Sequence, residues 1–222
     1  MANVLITGST GMIGKGILLE CIDDASIETI VLLNRNPIDV KSGKIKEVLL
    51  KDFTQIESVK DQLGLIDACF HCMGVSALGL SEEEYSKLTF DVTKALVDIC
   101  FEINPNMTFN YVSGQGTDSS EKGRQMWARV KGKTENYMLA KGFSKAYAFR
   151  PGFIIPERGI RSRTKLYDNI YRVFKPLFPL FKKMKSVTTT GRIAKVMIKT
   201  ITCDLDNQYL DNQLINKIAK MD

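Results

Sequence analysis

The sequence predicts an α/β fold, a doubly wound parallel sheet with a small C-terminal cap. Three observations predict it. Apolar runs of strand length alternate with helical patterns along most of the 222 residues. A glycine-rich turn joins the first strand to the first helix. The length suits one ordinary domain and is too short for two large ones. Buried-type strands that are separated by helices indicate βαβ units, whose strands lie parallel.

The strands of the first half are short apolar runs, which are typical of strands covered on both faces. The first strand is predicted over Asn3–Thr7, and the first helix lies near Ile13–Ile22. Further strands are predicted over Glu28–Asn34, Glu47–Leu50 and Ile66–Met73.

A long helix begins at a capping box, because Ser81 is followed three residues later by Glu84. Apolar residues then recur at helical spacing, and Pro105 lies just beyond the end of the helix. The remaining predicted elements are a strand over Met107–Ser113, a helix over Arg124–Leu139, a strand over Ala146–Arg150 and an amphipathic helix over Gly191–Thr202.

The composition is that of a globular protein, with 44% hydrophobic and 25% charged residues. No stretch approaches the roughly 18 apolar residues of a membrane span, so no integral membrane segment is expected. Five cysteines, spread from Cys21 to Cys203, argue against a disulfide scaffold. The residues from Met1 to Gly8 resemble a strand more than a signal peptide. We therefore expect a cytoplasmic protein.

The net charge of +6 is unevenly distributed. Residues 1–111 contain 9 basic and 16 acidic residues, whereas residues 112–222 contain 22 and 9. A basic half is compatible with an anionic small molecule, a membrane surface, nucleic acid or a solvated surface. The aromatic and basic stretch 165–185 leaves two alternatives open, a cap over a substrate site and contact with an anionic membrane. No nucleic-acid motif occurs, so no nucleic-acid partner is expected.

The strongest local signal is the turn from Thr7 to Gly14, which contains glycines at positions 8, 11 and 14. It lies directly between the first strand and the first helix. A dinucleotide pyrophosphate needs a tight turn, close backbone approach and the positive end of a helix at this place. The predicted cofactor-binding residues of the turn are Gly8, Thr10, Gly11, Met12 and Ile13.

The end of the second strand bears on the choice of cofactor. An acidic residue there would bind the ribose hydroxyls of NAD. This chain has Asn34-Arg35-Asn36 instead, and a guanidinium binds phosphate through two hydrogen bonds. Arg35 therefore predicts NADP as the cofactor, with NAD as the alternative.

A Cys-x-x-Cys spacing surrounds the chain's single histidine, His71. The pattern alone suggests zinc or redox chemistry. However, Cys69 and Cys72 would point to opposite faces of a strand, and no second ligand pair follows at metal spacing. These residues are predicted to be buried strand residues, and no metal is expected.

A resemblance to a known family extends along nearly the whole chain. Its segments are Thr7–Gly14, Leu33–Arg35, Asp52–Phe53, His71–Gly74, Tyr111–Ser113, Val130–Glu135 and Arg150–Ile154. With them, the chain resembles an atypical short-chain dehydrogenase/reductase of the NAD(P)-binding, NmrA-like and Tat-interacting oxidoreductase-like branch. The resemblance implies one Rossmann domain over residues 1–222, with residues 156–190 as part of a substrate cap. It implies cofactor contacts at Asp52 and Phe53 near adenine, at Cys72, Met73 and Gly74, and at Pro151, Gly152, Phe153 and Ile154 beside the nicotinamide.

The same resemblance implies a catalytic serine, tyrosine and lysine. Ser113 ends the fifth strand at the position of the serine, and Lys131 occupies that of the lysine, which would also hold the nicotinamide ribose. The tyrosine position, four residues before Lys131, is Trp127. An indole donates a hydrogen bond but does not ionise usefully, so the usual proton donor is missing. Tyr111 is an alternative acid, and Tyr137 is a poorer one.

These observations favour an NAD(P)-dependent oxidoreductase-like protein that acts on a small carbonyl or hydroxyl compound. A non-catalytic NADP(H)-binding sensor with a protein partner is the alternative, because Trp127 replaces the catalytic tyrosine. An epimerase-like protein with tightly held cofactor is a third candidate. The substrate and the oligomeric state stay open.

Overall fold

The computed structural model describes residues 1–160, 178–182 and 184–221. The strands are β1 (Ala2–Thr7), β2 (Ile27–Asn34), β3 (Ile45–Leu49), β4 (Ala68–His71), β5 (Thr108–Val112), β6 (Lys145–Arg150), β7 (Phe153–Ile155), β8 (Val187–Thr189) and β9 (Tyr209–Asp211). The helices are α1 (Met12–Asp23), α2 (Lys60–Leu63), α3 (Glu82–Ser86), α4 (Val92–Ile103), α5 (Met126–Leu139), α6 (Phe178–Phe181), α7 (Thr190–Thr202) and α8 (Asn212–Ile218). A 3-10 helix covers Phe53–Val59, and a π-helical turn covers Lys87–Asp91.

The main sheet has seven parallel strands in the order β3-β2-β1-β4-β5-β6-β9. Its register places Thr7 beside both Leu33 and His71, so the carboxyl ends of β2, β1 and β4 lie level. The strand order reverses between β1 and β4, and ligands of open α/β sheets bind at such a point. The predicted doubly wound α/β fold is confirmed.

Each face of the sheet is covered by its own apolar core. One core packs α4 against the sheet through Leu96, Val97 and Cys100. The other packs α1 and α7 against the opposite face, for example through Ile17 and Met197. This double burial explains why the strands are continuously apolar.

Three short strands and one π-helical turn were not among the elements that the sequence predicts. Strands β7, β8 and β9 have three residues each, too few for a period to be visible. The helix predicted from Ser81 starts at its capping box, but the π-helical turn divides it into α3 and α4. As predicted, Cys69 and Cys72 pack toward opposite faces of the sheet.

Part of the expected cap, residues 161–177, lies outside the described residues. In the described part, β7 and β8 form a separate two-stranded parallel sheet. Thr190, which begins α7, packs against α1 so closely that a Cβ on Gly16 would lie 2.6 Å from the Thr190 Cβ. The described helices include none that is both long and apolar enough to cross a bilayer.

Candidate functional site

The turn between β1 and α1 has no space for side chains at two of its glycines. Gly8 has a φ of +71°, and a Cβ there would lie 2.7 Å from the main chain of Cys72 and Met73. A Cβ on Gly14 would overlap the Gly8 carbonyl. At Gly11 the same carbonyl would be 3.3 Å away, which is tight but not an overlap. The turn is therefore packed directly against the end of β4.

Helix α1 begins without any side-chain cap. Its N-cap residue is Gly11, no side chain accepts from the first-turn N–H groups, and the first turn holds no acidic residue. Thr10 is exposed, while Met12 and Ile13 are half-buried against the core beneath the helix. Free N–H groups and the positive end of the helix dipole provide an anion site here, as a dinucleotide pyrophosphate requires.

The carboxyl end of β2 carries neutral and basic groups. Asn34 is 4% exposed, and its Oδ1 accepts from the Ser9 hydroxyl at 2.8 Å. The Asn34 Nδ2 has no hydrogen-bond partner among the described residues. Arg35 is exposed and forms no ion pair within the described part of the chain. The sequence analysis did not predict the hydrogen bond between Ser9 and Asn34. The asparagine at a position where an acidic residue is usual was the one feature of the sequence that pointed to it.

Asp52 and Phe53 stabilise the loop that follows β3. The Asp52 carboxylate accepts from the N–H and the hydroxyl of Thr54 at 3.0 and 2.7 Å, and these hydrogen bonds lower the pKa of Asp52. Phe53 is 6% exposed and belongs to the apolar core. The structure therefore leaves the exposed Asp52 and the main chain of Phe53, not the Phe53 ring, to border a nucleotide.

The end of β4 is joined to the glycine turn by its main chain. The Cys72 N–H donates to the Thr7 carbonyl at 3.2 Å, and the Cys72–Met73 peptide lies against Gly8. Cys72 and Met73 are half-buried, and Gly74 is exposed. Of the three predicted contact residues, Cys72 and Met73 therefore lie beside the glycine turn, and Gly74 follows them at an exposed position.

Trp127 and Lys131 lie together on α5, facing the glycine-rich loop after β5. The Lys131 ammonium donates to the Ser113 carbonyl, and a Cβ on Gly114 would be 3.7 Å from Lys131 Nζ. The Trp127 ring packs over Gly116, where a Cβ would lie 3.2 Å from Cη2. Burial lowers the pKa of Lys131, and the Glu135 carboxylate opposes that shift.

The Ser113 hydroxyl does not join this pair. Ser113 is 4% exposed, and its hydroxyl interacts with the Glu135 carboxylate and with the Phe149 carbonyl, the latter at 3.1 Å. A hydroxyl held in this way is not free to polarise a substrate oxygen. Only the main-chain carbonyl of Ser113 meets the Lys131 ammonium.

Neither Tyr111 nor Tyr137 presents a free hydroxyl beside Lys131 in the described structure. Tyr111 is 1% exposed, its ring stacks on His71 at 5.3 Å, and burial raises its pKa far above the usual value. The Tyr137 hydroxyl donates to Asp98 at 2.5 Å. Strand alternation does not put Tyr111 at the site, because side chains on both faces of this central strand are buried.

The ion pair behind Ser113, between the buried Glu135 and the partly exposed Arg150, was not predicted. Glu135 is fully buried, and Arg150 Nε donates to its two oxygens at 3.0 and 3.2 Å. Arg150 Nη2 makes a further contact with the same carboxylate. The available signal was a glutamate one helical turn after Lys131, together with an arginine that ends β6.

The segment after β6 turns back toward the loop after β5. The Pro151 carbonyl accepts from the Gln115 N–H at 2.9 Å, and the Gly152 N–H donates to Asn212 Oδ1 at 3.2 Å. Phe153 is 40% exposed, while Pro151 and Ile154 are buried. Of the predicted nicotinamide contacts, Gly152 and Phe153 therefore present the accessible surface.

Relatives of known name share this architecture. The chain is 27% identical over 168 residues to Protein fmp52, mitochondrial, of Emericella nidulans, a match that covers 71% of this chain and 69% of that one. The Bordetella bronchiseptica enzyme WbmH in complex with NAD+ superposes with a TM-score of 0.69 at 14% identity, over 95% of this chain and 74% of that one. The short chain dehydrogenase/reductase YIR035C of Saccharomyces cerevisiae gives a TM-score of 0.64 at 18% identity, over 96% of both chains. At these identities the two structures establish the fold.

The cytoplasmic location expected from the composition is contradicted by the relatives. Matching proteins from Emericella nidulans, Debaryomyces hansenii and Candida albicans are all named mitochondrial. Cysteine content reports only that the compartment is not strongly oxidising, so it could not separate these locations.

The family assignment rests on a continuous match over the first two thirds of the chain. The sequence profile of the NAD dependent epimerase/dehydratase family matches residues 4–147, well over half of the 222 residues. This span contains the glycine turn, Trp127 and Lys131. It confirms the relationship to the short-chain dehydrogenases/reductases and the coarser functional expectation of an NAD(P)-dependent oxidoreductase. The chain belongs to the NAD dependent epimerase/dehydratase family.

Proposed function

We propose that this protein binds NADP(H) at the carboxyl edge of its sheet and reduces a small carbonyl compound or oxidises the corresponding alcohol. One observation carries the proposal. Helix α1 starts at a glycine turn with no side-chain cap and no acidic residue, so its N–H groups are free for a pyrophosphate. The residues that would hold the cofactor are Gly8, Gly11, Arg35, Gly152 and Lys131.

The preference for NADP over NAD rests on the end of β2. Arg35 is exposed without an ion-pair partner among the described residues, and no carboxylate competes with it at this strand end. A 2′-phosphate would satisfy this guanidinium. The unpartnered Asn34 Nδ2 beside it adds a second unused donor at the same strand end.

The proton in such a reaction is proposed to come from Lys131. The bound cofactor supplies or accepts the hydride. The Ser113, Tyr111 and Tyr137 hydroxyls are buried or occupied by protein partners, and the Trp127 indole does not titrate. Burial lowers the pKa of Lys131, and a lysine of lowered pKa is a better acid at neutral pH. Trp127 would orient the substrate oxygen or cover the nicotinamide.

The test is turnover of NADPH with a panel of aldehydes, ketones and quinones, followed by loss of NADPH absorbance. We expect slow turnover that is lost in Lys131→Met. The structurally similar variant Lys133→Met, at an exposed position of the same helix, serves as the matched control. Failure of the wild type to bind NADPH or NADH would overturn the proposal.

A non-catalytic NADP(H)-binding sensor is the second candidate. It is favoured because the Ser113, Tyr111 and Tyr137 hydroxyls are all buried or bound to other protein groups, so none of them is free to transfer a proton beside Lys131 and Trp127. Tight NADPH binding without turnover of any member of the panel would select it. In either case the names of the relatives support a mitochondrial location, which subcellular fractionation would test.

A further inference from the structure

Glu135 is a fully buried carboxylate with an unusually complete set of donors. It receives the Ser113 hydroxyl, Arg150 Nε and Arg150 Nη2. The Arg150 guanidinium is itself held in place. Its Nη2 also donates to the Ser119 hydroxyl, and its central carbon, Cζ, lies 4.3 Å from the centre of the Tyr209 ring. The carboxylate is thus held by Ser113, which directly follows β5, and by Arg150 at the end of β6.

Ser113 links this carboxylate to the Lys131 ammonium. Its hydroxyl contacts Glu135, and its main-chain carbonyl accepts from Lys131 Nζ. Glu135 also lies one helical turn after Lys131, on the same side of α5. Within the described residues, the charged groups toward Lys131 are Glu135 from its own helix and, behind that carboxylate, Arg150 from β6. Asp118, in the loop after β5, is bound instead by the Gly123 N–H.

An ion pair between a fully buried carboxylate, such as Glu135, and a partly exposed arginine, such as Arg150, does not by itself show that the pair stabilises the fold. Two buried apolar residues of similar size often serve equally well, since the charges lose their hydration. The location of the pair, one serine away from Lys131, therefore calls for another explanation. We propose that Glu135 is a positioning residue, which is held by Arg150 and fixes the Ser113 main chain and the Lys131 ammonium against each other. The inference rests on the proposed function only for the role of Lys131 as proton donor.

The carboxylate has an electrostatic consequence that a merely structural role would lack. Burial favours the neutral amine of Lys131, and the negative charge of Glu135 favours the ammonium. Replacing the carboxylate by a neutral amide should therefore lower the pH at which Lys131 loses its proton. The single oxygen of Glu135→Gln can still accept from Ser113 and Arg150 Nε, whereas its NH2 group cannot accept from Arg150 Nη2, so the variant keeps the size of the side chain but loses one Arg150 contact.

The experiment is a ¹³C NMR titration of lysine Cε signals in the ligand-free full chain, with Lys131 assigned from its absence in Lys131→Met. In Glu135→Gln we expect the Lys131 midpoint to fall by about one pH unit. The matched control is Glu82→Gln, which removes an exposed carboxylate that pairs with Arg129 of the same helix. It should leave the Lys131 midpoint unchanged.

A folded Glu135→Gln with an unchanged Lys131 midpoint would overturn the inference, as would an equal shift in Glu82→Gln. If Glu135→Gln does not fold, Glu135→Asp keeps a charge for Arg150 but withdraws the carboxylate from Ser113. Its midpoint should fall by a smaller amount, and no shift would again overturn the inference. The titration needs neither cofactor nor turnover. Absence of NADP(H) binding would therefore refute the proposed function without affecting this result.

Discussion

Trp127 covers Gly116, with ring atom Cη2 3.2 Å from where a Gly116 Cβ would lie. A side chain at position 116 would therefore press on the indole, which occupies the position where the family resemblance places a tyrosine. Trp127 is also the single tryptophan of the chain, so its emission reports on one place. NADPH should quench this emission strongly and saturably, and NADP, which lacks the reduced ring, should quench it less. Unchanged emission at saturating NADPH would place Trp127 away from the cofactor.

Replacing Trp127 by tyrosine should restore an ionisable hydroxyl four residues before Lys131. If proton transfer limits the rate, carbonyl reduction should rise by about tenfold or more and acquire a new pH dependence. Trp127→Phe is the matched control, because it changes the ring without adding a hydroxyl. Equal rates in the two variants would show that the phenol contributes no proton.

Arg35→Ala should remove the preference for NADPH. A charge-assisted contact with the 2′-phosphate contributes about 1.5–3 kcal/mol, so NADPH affinity should fall by roughly 10- to 160-fold while NADH affinity stays constant. Arg35→Lys keeps the charge but loses the bidentate geometry of the guanidinium. Its preference for NADPH should therefore lie between those of the wild type and Arg35→Ala. Calorimetry with both nucleotides measures this. An unchanged ratio of affinities in Arg35→Ala would contradict it.

Gly14→Ala should weaken nucleotide binding by at least about tenfold, because its Cβ overlaps the Gly8 carbonyl and displaces the turn that cradles the pyrophosphate. Gly43→Ala is the control, since no atom lies within 4 Å of the added Cβ. Gly11→Ala meets only one atom, at 3.3 Å, and should have a smaller effect than Gly14→Ala. Equal NADPH affinity in Gly14→Ala and Gly43→Ala would rule out this role for the turn.

His71 should make the fold sensitive to acid. It is fully buried between Thr7 and Thr93, at 2.6 and 2.9 Å, and burial lowers its pKa to about 3. The unfolded chain takes up a proton near pH 6.5, so the contribution of His71 is complete above that pH and is lost toward pH 3.

The corresponding measurement is urea unfolding of the wild type and His71→Gln between pH 7 and pH 4. Below pH 6.5 the stability of the wild type relative to the variant should fall by about 1.4 kcal/mol per pH unit. Parallel pH curves would show that His71 is not buried in its neutral form. The comparison with His71→Gln removes the contributions of the carboxylates, which both proteins share.

The sheet could be predicted from the sequence because each βαβ unit produces a pattern within neighbouring residues, an apolar run followed by helical spacing. Val4, Leu5 and Ile6 are buried on both faces of β1, and the capping box at Ser81 is fixed by three neighbouring residues. The glycine turn was equally local. Strand β9 could not be predicted, since three residues next to β6 gain their pairing only from a neighbour about sixty positions earlier.

The candidate site was predicted less completely than the sheet. Helical spacing predicted that Trp127 and Lys131 share one face of α5, and in the structure both side chains lie against the loop after β5. The orientation of the Ser113 hydroxyl did not follow, because it depends on Glu135 and Arg150, which come from two other elements. A buried carboxylate attracts whichever donors surround it, and the sequence does not display that environment.

The packing of α7 and α8 on the face below α1 has a consequence for synthesis on the ribosome. Ile193, Met197 and Ile215 cover apolar residues of β1 and α1, yet all three follow residue 190 of the chain. While only residues 4–147 have emerged, Val4 and Ile17 lack their apolar cover. The nascent chain then exposes an apolar surface that chaperones would bind. The packing beneath the nucleotide turn is complete only after Ile193, Met197 and Ile215 have been synthesised. A truncated protein that ends at residue 147 should accordingly aggregate rather than bind nucleotide.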